Sequence, residues 1–314
     1  MENRPGEGSP GRRPGEDGLP MPQRAWAMLT VGLAITMAVL DSSIANIALP
    51  TIAGDMSASP ATAVWIVNAY QLIITMTLLP LAALGDLYEY RRVYRIGLAV
   101  FTLASLACAL SHSISVLTAA RVLQGLGAAG IMSVNAALIR FIYPRAQLGR
   151  AIGINAVTVS IAAAVGPTVA SLILSVASWQ WLFAINLPIG LVALLGARSL
   201  PVTPRGKHRF DTAGAVLSAA TFGLLITTID GIGHHASLAI IAAEGVATIL
   251  VGIVFFWHET HRAWPLLPVD LMRVRLFSLS LPDLFAYYVV TAPGALERPK
   301  VKAFHDWLRQ EADE

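Results

Sequence analysis

Residues 26–47 read WAMLTVGLAITMAVLDSSIANI, a run in which Asp41 is the only ionisable side chain. About 20 consecutive apolar residues are enough for a helix to cross the hydrocarbon core of a bilayer, so this stretch is predicted to be a transmembrane helix. Working outward, seven further runs of similar length follow at 63–84, 93–110, 117–142, 151–176, 181–200, 213–229 and 238–257. The whole chain of 314 residues is 55% hydrophobic and 13% charged, against roughly 25% charged in ordinary globular proteins. That composition excludes a typical soluble enzyme and predicts an all-α polytopic membrane protein.

The positions of the basic residues orient the bundle. Alternate connections carry Arg91, Arg92 and Arg95, then Arg140, Arg145 and Arg150, then Arg198, Arg205, Lys207 and Arg209. The leader adds Arg4, Arg12, Arg13 and Arg24, and the segment after the eighth run adds Arg262, Arg273 and Arg275. The intervening connections at 50–62, 111–116, 177–180 and 230–237 hold no lysine or arginine. By the positive-inside rule the N-terminus is predicted to be cytoplasmic, in a multi-pass protein of the inner (plasma) membrane. The lone Cys108 leaves no intrachain disulfide and no thiolate metal cluster.

The expected organisation is a disordered cytoplasmic leader at 1–25, a six-helix bundle at 26–200, a linker at 201–210 and two more helices at 211–258. A cytoplasmic segment at 259–281 ends in an apolar run that Pro282 and Asp283 interrupt. From 282 to 314 the composition is that of a soluble protein, with a strand expected at 285–290. Ala292, Pro293 and Gly294 form a turn, and an amphipathic helix follows at 299–311 with Val301, Phe304 and Leu308 on one face. A competing reading makes 276–292 a short ninth span with Asp283 inside it.

Ionisable groups within the spans are few. One near the centre of a helix costs about 2.5–3.5 kcal/mol on insertion scales, so it should face a wet cavity or a counter-charge. Asp41 and Arg121 are the two clearest cases. The alternative is that both lie near helix ends and snorkel to water. Asn46, Asn68, Gln71, Gln124, Asn135 and Asn155 are spread over four of the apolar runs, where a hydrated bundle interior would satisfy them and outline a translocation path. For any one of them an interhelical hydrogen bond without a transport role is an equal alternative, and Glu244 stands alone on its helix.

Two motifs familiar from soluble proteins are set aside. Gly125, Gly127 and Gly130 spell G-x-G-x-x-G, but no strand precedes them, and in an apolar helix they read as a close-packing surface. His258 and His261 at i, i+3 read as interfacial and solvated, so no metal is assigned and no cofactor is implied. No nucleophile–base pair, H-E-x-x-H or paired carboxylates within one helix point to an enzyme.

Residues 26–280 resemble the major facilitator superfamily, and within it the fourteen-helix drug:proton antiporter branch. The resemblance is carried first by Leu40-Asp41-Ser42-Ser43-Ile44-Ala45-Asn46-Ile47-Ala48-Leu49-Pro50 in helix one, then by Gly85-Asp86 with Tyr90-Arg91-Arg92-Val93 between helices two and three. In that loop Leu87 stands where a basic residue is usual and Glu89 where glycine is usual. Arg121-Val122-Leu123-Gln124-Gly125 matches the helix-four motif, and Gly166-Pro167 resembles the antiporter motif of helix five. Residues 179–183, Asn186 to Gly190, and Phe210-Asp211 with Gly214 resemble the family's junctions into helices six and seven. The resemblance implies alternating access around a midplane site, proton coupling that involves Arg121, and exchange of protons for lipophilic or cationic small molecules. An apolar cavity disfavours the charged form of a carboxylate, which suits Asp41 to that exchange. Gly85, Asp86, Arg91, Arg92, Gly166 and Pro167 would form the loop and kink on which the conformational change depends.

A fourteen-helix member continues with a second six-helix half, for which this sequence has no counterpart. Residues 281–314 instead resemble the extreme C-terminus of LysR-type transcription regulators, through Tyr287-Tyr288-Val289-Val290, Arg298-Pro299-Lys300-Val301 and Phe304-His305-Asp306-Trp307-Leu308. That piece holds no DNA-reading helix, so no nucleic-acid partner is expected. The expectation is a truncated proton-coupled multidrug efflux transporter, inactive if the missing half is required. Its rivals are a membrane-anchored interaction or sensor segment and a non-functional gene fusion.

Overall fold

The computed structural model describes residues 18–206, 209–233, 237–262 and 266. Among them, eight helices are long and apolar enough to span a membrane. They are α1 (Gln23–Asp55), α2 (Pro60–Tyr88), α3 (Tyr90–Ala109), α4 (Ile114–Ile142), α5 (Arg145–Val176), α6 (Gln180–Ser199), α7 (Thr212–Ile232) and α8 (Leu238–Thr260). The expected soluble tail, its strand and helix, and the alternative ninth span lie outside the described residues.

Local chemistry explains where several helices start. Ser59, Ser113 and Ser237 turn their hydroxyls onto the backbone N–H groups of Thr62, Val116 and Ile240, which begin α2, α4 and α8. Pro60 occupies the first position of α2, where its missing N–H removes nothing from the helix. Helix α1 runs eight residues beyond the expected end at 47 and carries Pro50 inside it. Its start differs too. Residues expected to belong to a disordered leader are tied to the bundle: Leu19 N–H donates to Ile142 O at 2.9 Å, Arg24 Nε to Leu19 O at 2.8 Å, and Gln23 Nε2 to Ser199 O at 3.1 Å.

Helix α4 is the hub. It packs against α2 and α3, while α1 packs against α5 and α6. The G-x-G-x-x-G glycines let α3 and α4 approach backbone to backbone. A Cβ on Gly97 of α3 would meet Gly127 O and Gly130 Cα at 2.9 Å, and one on Gly127 would collide with the Phe101 backbone. The expected close-packing surface is therefore a helix–helix contact. Helices α7 and α8 pack on each other, and α7 lies against α2. Two apolar clusters fill the six-helix part. One is built around Tyr94, Leu98, Phe101 and Ile142, the other around Ile52, Ile66, Leu117 and Trp179.

Candidate functional site

Between those clusters sits a polar node. Asp41 follows Ala38 of the first cluster and precedes Ile44 of the second, and Arg121 likewise lies between Ala120 and Ala128 on α4. The two side chains form an ion pair between Arg121 Nη1 and Asp41 Oδ2, with Asp41 2% and Arg121 0% exposed. Each is the other's counter-charge, so the snorkelling alternative is not what the fold adopts. Nor does the pair line a wet cavity, because side chains close over it on all sides.

The node is built by five helices. Gln124, one turn along α4 from Arg121, donates from Nε2 to Asp41 Oδ1 at 2.8 Å and to Ser105 Oγ of α3 at 2.9 Å. Its Oε1 accepts from Arg121 Nη1 at 2.7 Å. Asn186 of α6 donates from Nδ2 to Asp41 Oδ1 at 3.0 Å. Arg121 Nε donates to the Ile66 carbonyl of α2 at 3.0 Å, and the guanidinium lies 4.0 Å from the centroid of the Tyr70 ring, a cation–π contact. Tyr70 in turn donates its hydroxyl to Ala38 O at 3.0 Å. Asp41 thus receives three hydrogen bonds, and α1, α2, α3, α4 and α6 meet at one charge pair. Gly166 brings α5 up beside it, since a Cβ there would meet Ser43 Cβ at 2.5 Å and so bars any larger residue.

The other polar residues of the spans disperse. Asn68 donates to Asp230 Oδ1 at 2.9 Å, which links α2 to α7. Asn135 donates to Asn155 at 3.1 Å and joins α4 to α5. Asn46 bonds only back to Ser42 O of its own helix at 3.2 Å, and both Asn46 and Gln71 are exposed. Asn186, Ser105 and Tyr70 belong to the node but do not stand out in the sequence as site residues. Asn186 was readable by the rule that picks out Gln124, a polar amide within an apolar run, whereas an aromatic such as Tyr70 gives no such signal.

The loop between α2 and α3 is the second polar site. Tyr90 OH donates to Asp86 Oδ1, and Asp86 O accepts from Gly206 N–H at 2.7 Å. Thr203 Oγ1 accepts from Tyr90 N–H at 3.0 Å, so the linker after α6 is laid across this loop. Glu89 adopts φ 94°, a conformation that only glycine reaches without strain, and this is the position where glycine is usual. The turn survives the substitution. Arg91 Nη2 donates to Arg198 O at 3.1 Å, which caps the end of α6.

A third cluster clamps α7 to α8. Asp211 Oδ1 caps α7 by accepting from Gly214 N–H at 3.1 Å, and Oδ2 lies 2.8 Å from His258 Nε2 and 3.6 Å from Arg262 Nε. His258 is therefore partnered, not solvated as the sequence suggested. Burial acts to raise the Asp211 pKa, but the Gly214 N–H, His258 and Arg262 outweigh it and hold the carboxyl below its ordinary range.

Comparison with known proteins places this architecture. The chain is 56% identical over 270 residues to the uncharacterized transporter YebQ of Escherichia coli, covering 84% of this chain and 59% of that protein. It is 34% identical over 262 residues to the riboflavin transporter RibZ of Clostridioides difficile, covering 82% and 56%. It is also 34% identical over 275 residues to the multidrug resistance protein Stp of Mycobacterium tuberculosis, covering 83% and 50%. The chain thus spans about half the length of the curated relatives it matches. The family model described as Major Facilitator Superfamily matches residues 31–296, running past the point at which the sequence turns soluble in composition. With eight membrane-length helices and a match over most of its length, the chain belongs to the Major Facilitator Superfamily of transporters, and is not an enzyme.

Proposed function

We propose that this protein takes part in proton-coupled efflux of lipophilic or cationic small molecules, with Asp41 as the proton-carrying carboxylate and Arg121 as its counter-charge. In this reading residues 26–200 are the first six-helix half and 211–258 two added helices of a fourteen-helix architecture. The arginine-bearing connections face the cytoplasm of a plasma membrane. The observation that carries the proposal is the buried Asp41–Arg121 pair, which Gln124, Asn186, Ser105 and the Ile66 carbonyl tie into five helices. A buried pair is stable only while both charges are present. Protonating Asp41 cancels one of them, leaves Arg121 uncompensated and so favours a rearrangement that opens the node. In the opened node a cationic substrate takes the place of the Asp41 proton, which is released to solvent, and the charge pair with Arg121 re-forms once the substrate has left. Gly166, packed on Ser43 two residues along α1 from Asp41, is placed to pass a change at the node into the α1–α5 contact. The relative named a multidrug resistance protein supports the substrate class.

The test is uptake of a lipophilic cation into proteoliposomes under an imposed pH gradient. The parent protein is expected to accumulate the dye, and Asp41→Asn at equal reconstitution is not. Gradient-driven uptake that survives in Asp41→Asn contradicts the assignment of the proton to Asp41, and absence of uptake by the parent contradicts the transport reading.

A further inference from the structure

The arginines of the α2–α3 loop and of the α6 end are separated by about a hundred residues in sequence, yet they line one pocket of about 940 Å³. Arg91, Arg92 and Arg95 come from the first turns of α3, Arg198 from the end of α6 and Arg205 from the linker, and the one acid in the lining is Glu89. Glu89 is engaged by Arg205 at 3.7 Å, and no carboxylate among the described residues pairs with Arg92, Arg95 or Arg198. Arg91 Nε is buried and has no hydrogen-bond partner among the described residues. The same pocket opens onto the N-terminal end of α3, whose first turn holds no acidic residue. The positive end of the helix dipole there adds to the guanidinium charge. Cations at a helix N-terminus are unfavourable by themselves, and Glu89 at the N-cap offsets one of the five arginines, so the pocket favours a further anion.

The rest of the lining identifies the anion. Ile96, Leu195 and Val202 are exposed large apolar residues of the same lining, with Ile96 next to Arg95 and Leu195 about one turn before Arg198 in sequence. A free phosphate has nothing to place against them, and the lining offers a nucleotide base no aromatic ring to stack on, whereas a phospholipid brings both a phosphodiester and flexible apolar chains. We infer that the pocket between the start of α3 and the end of α6 binds an anionic phospholipid, with its phosphodiester held by Arg92, Arg95, Arg198 and Arg205 and its acyl chains along Ile96 and Leu195. Arginine suits this role because its planar fork meets two phosphate oxygens at once. A basic pocket between helices at the membrane surface is a favourable setting for such headgroups. The site depends on charge and shape in the six-helix part, not on the Asp41 node.

The protein, purified in a mild zwitterionic detergent, is titrated in native mass spectrometry with phosphatidylglycerol, cardiolipin and phosphatidylcholine. Each basic residue near an anionic surface is worth about fivefold in binding. Arg92→Gln/Arg95→Gln/Arg205→Gln is therefore expected to weaken phosphatidylglycerol and cardiolipin binding roughly 100-fold and leave phosphatidylcholine unchanged. The single exposed variant Arg95→Gln is expected to lose about fivefold and serves if the triple variant fails to purify as a monodisperse species. Arg140→Gln/Arg145→Gln/Arg150→Gln removes the same charge from a different loop and is expected to bind as the parent does. Equal loss in that second triple variant, or phosphatidylcholine binding as tight as phosphatidylglycerol, overturns the site. Displacement of the lipid by millimolar inorganic phosphate overturns the assignment of the anion to a lipid.

Discussion

Replacing Asp41 with asparagine is the perturbation that the structure prices most directly. The carboxylate receives Arg121 Nη1 on one oxygen and Gln124 Nε2 and Asn186 Nδ2 on the other. An amide at position 41 supplies only one acceptor oxygen. Whichever way it turns, its NH₂ faces a donor, either the guanidinium or the pair of amides. With Arg121 fully buried, the substitution also leaves an uncompensated charge, and removal of one partner of a buried pair costs about 3–5 kcal/mol. Arg121→Gln is milder, since Gln124 and Asn186 still donate to the carboxylate, and is expected to cost about 3 kcal/mol at the low end of that range. Combining the two makes the node neutral and leaves amides able to bond one another. The double variant is expected to lie well short of the sum, with a coupling of at least about 2 kcal/mol, at the upper end of that found for contacting residues. Reversible unfolding of the purified protein by SDS in mixed micelles reads all four corners of the cycle. Single losses below about 1 kcal/mol that add without coupling would refute a buried, charge-paired node.

Three further outcomes follow from the other contacts. Glu89→Gly relieves a left-handed conformation at a non-glycine residue and is expected to stabilise the protein by about 1 kcal/mol in the same unfolding assay; destabilisation would show that the ion pair with Arg205 matters more than the backbone. Gly127→Val inserts side-chain atoms where a Cβ already collides with the Phe101 backbone, and is expected to cost about 3 kcal/mol or prevent assembly of α3 on α4, read as loss of monodisperse protein in size-exclusion chromatography. Asp211 has a folded-state pKa below its unfolded value, so its contribution is complete above an unfolded pKa of about 3.9 and is lost as pH falls through the lower, folded value. Acid unfolding of Asp211→Asn is therefore expected to be less steep below about pH 4 than that of the parent, and identical profiles would contradict the clamp between α7 and α8.

The helices were legible because a length near 20 apolar residues is a property of each run by itself. Their ends were not. Pro50 reads as a stop, yet α1 continues to Asp55. Likewise the run from 18 to 25 is polar enough to read as free leader, while its contacts with Ile142 and Ser199 depend on partners far away in sequence. Asp41 and Arg121 stood out separately, because each is costly in lipid. Their pairing across 80 residues did not, because cost alone is satisfied equally by water or by a counter-charge. Asn46, Asn68 and Gln71 show the converse: polarity in a span says nothing of which face it occupies, and these three point to surface or to α7 instead of the node. The basic residues read in sequence only as a bias between alternate connections, and their pocket exists only in three dimensions, since Arg95 and Arg205 come to one lining through the packing of α3 on α6.

Proton release on substrate binding tests the central claim most directly. Purified protein in weakly buffered detergent solution is mixed with a lipophilic cation, and the pH is followed with an indicator dye. Up to one proton released per bound cation is expected in the parent, rising as the starting pH is lowered so that Asp41 takes up its proton before the cation arrives, and none in Asp41→Asn at a saturating concentration. Release of the same size from both proteins, or cation binding by the parent without release at any pH at which the protein stays folded, would contradict the assignment of the proton to Asp41.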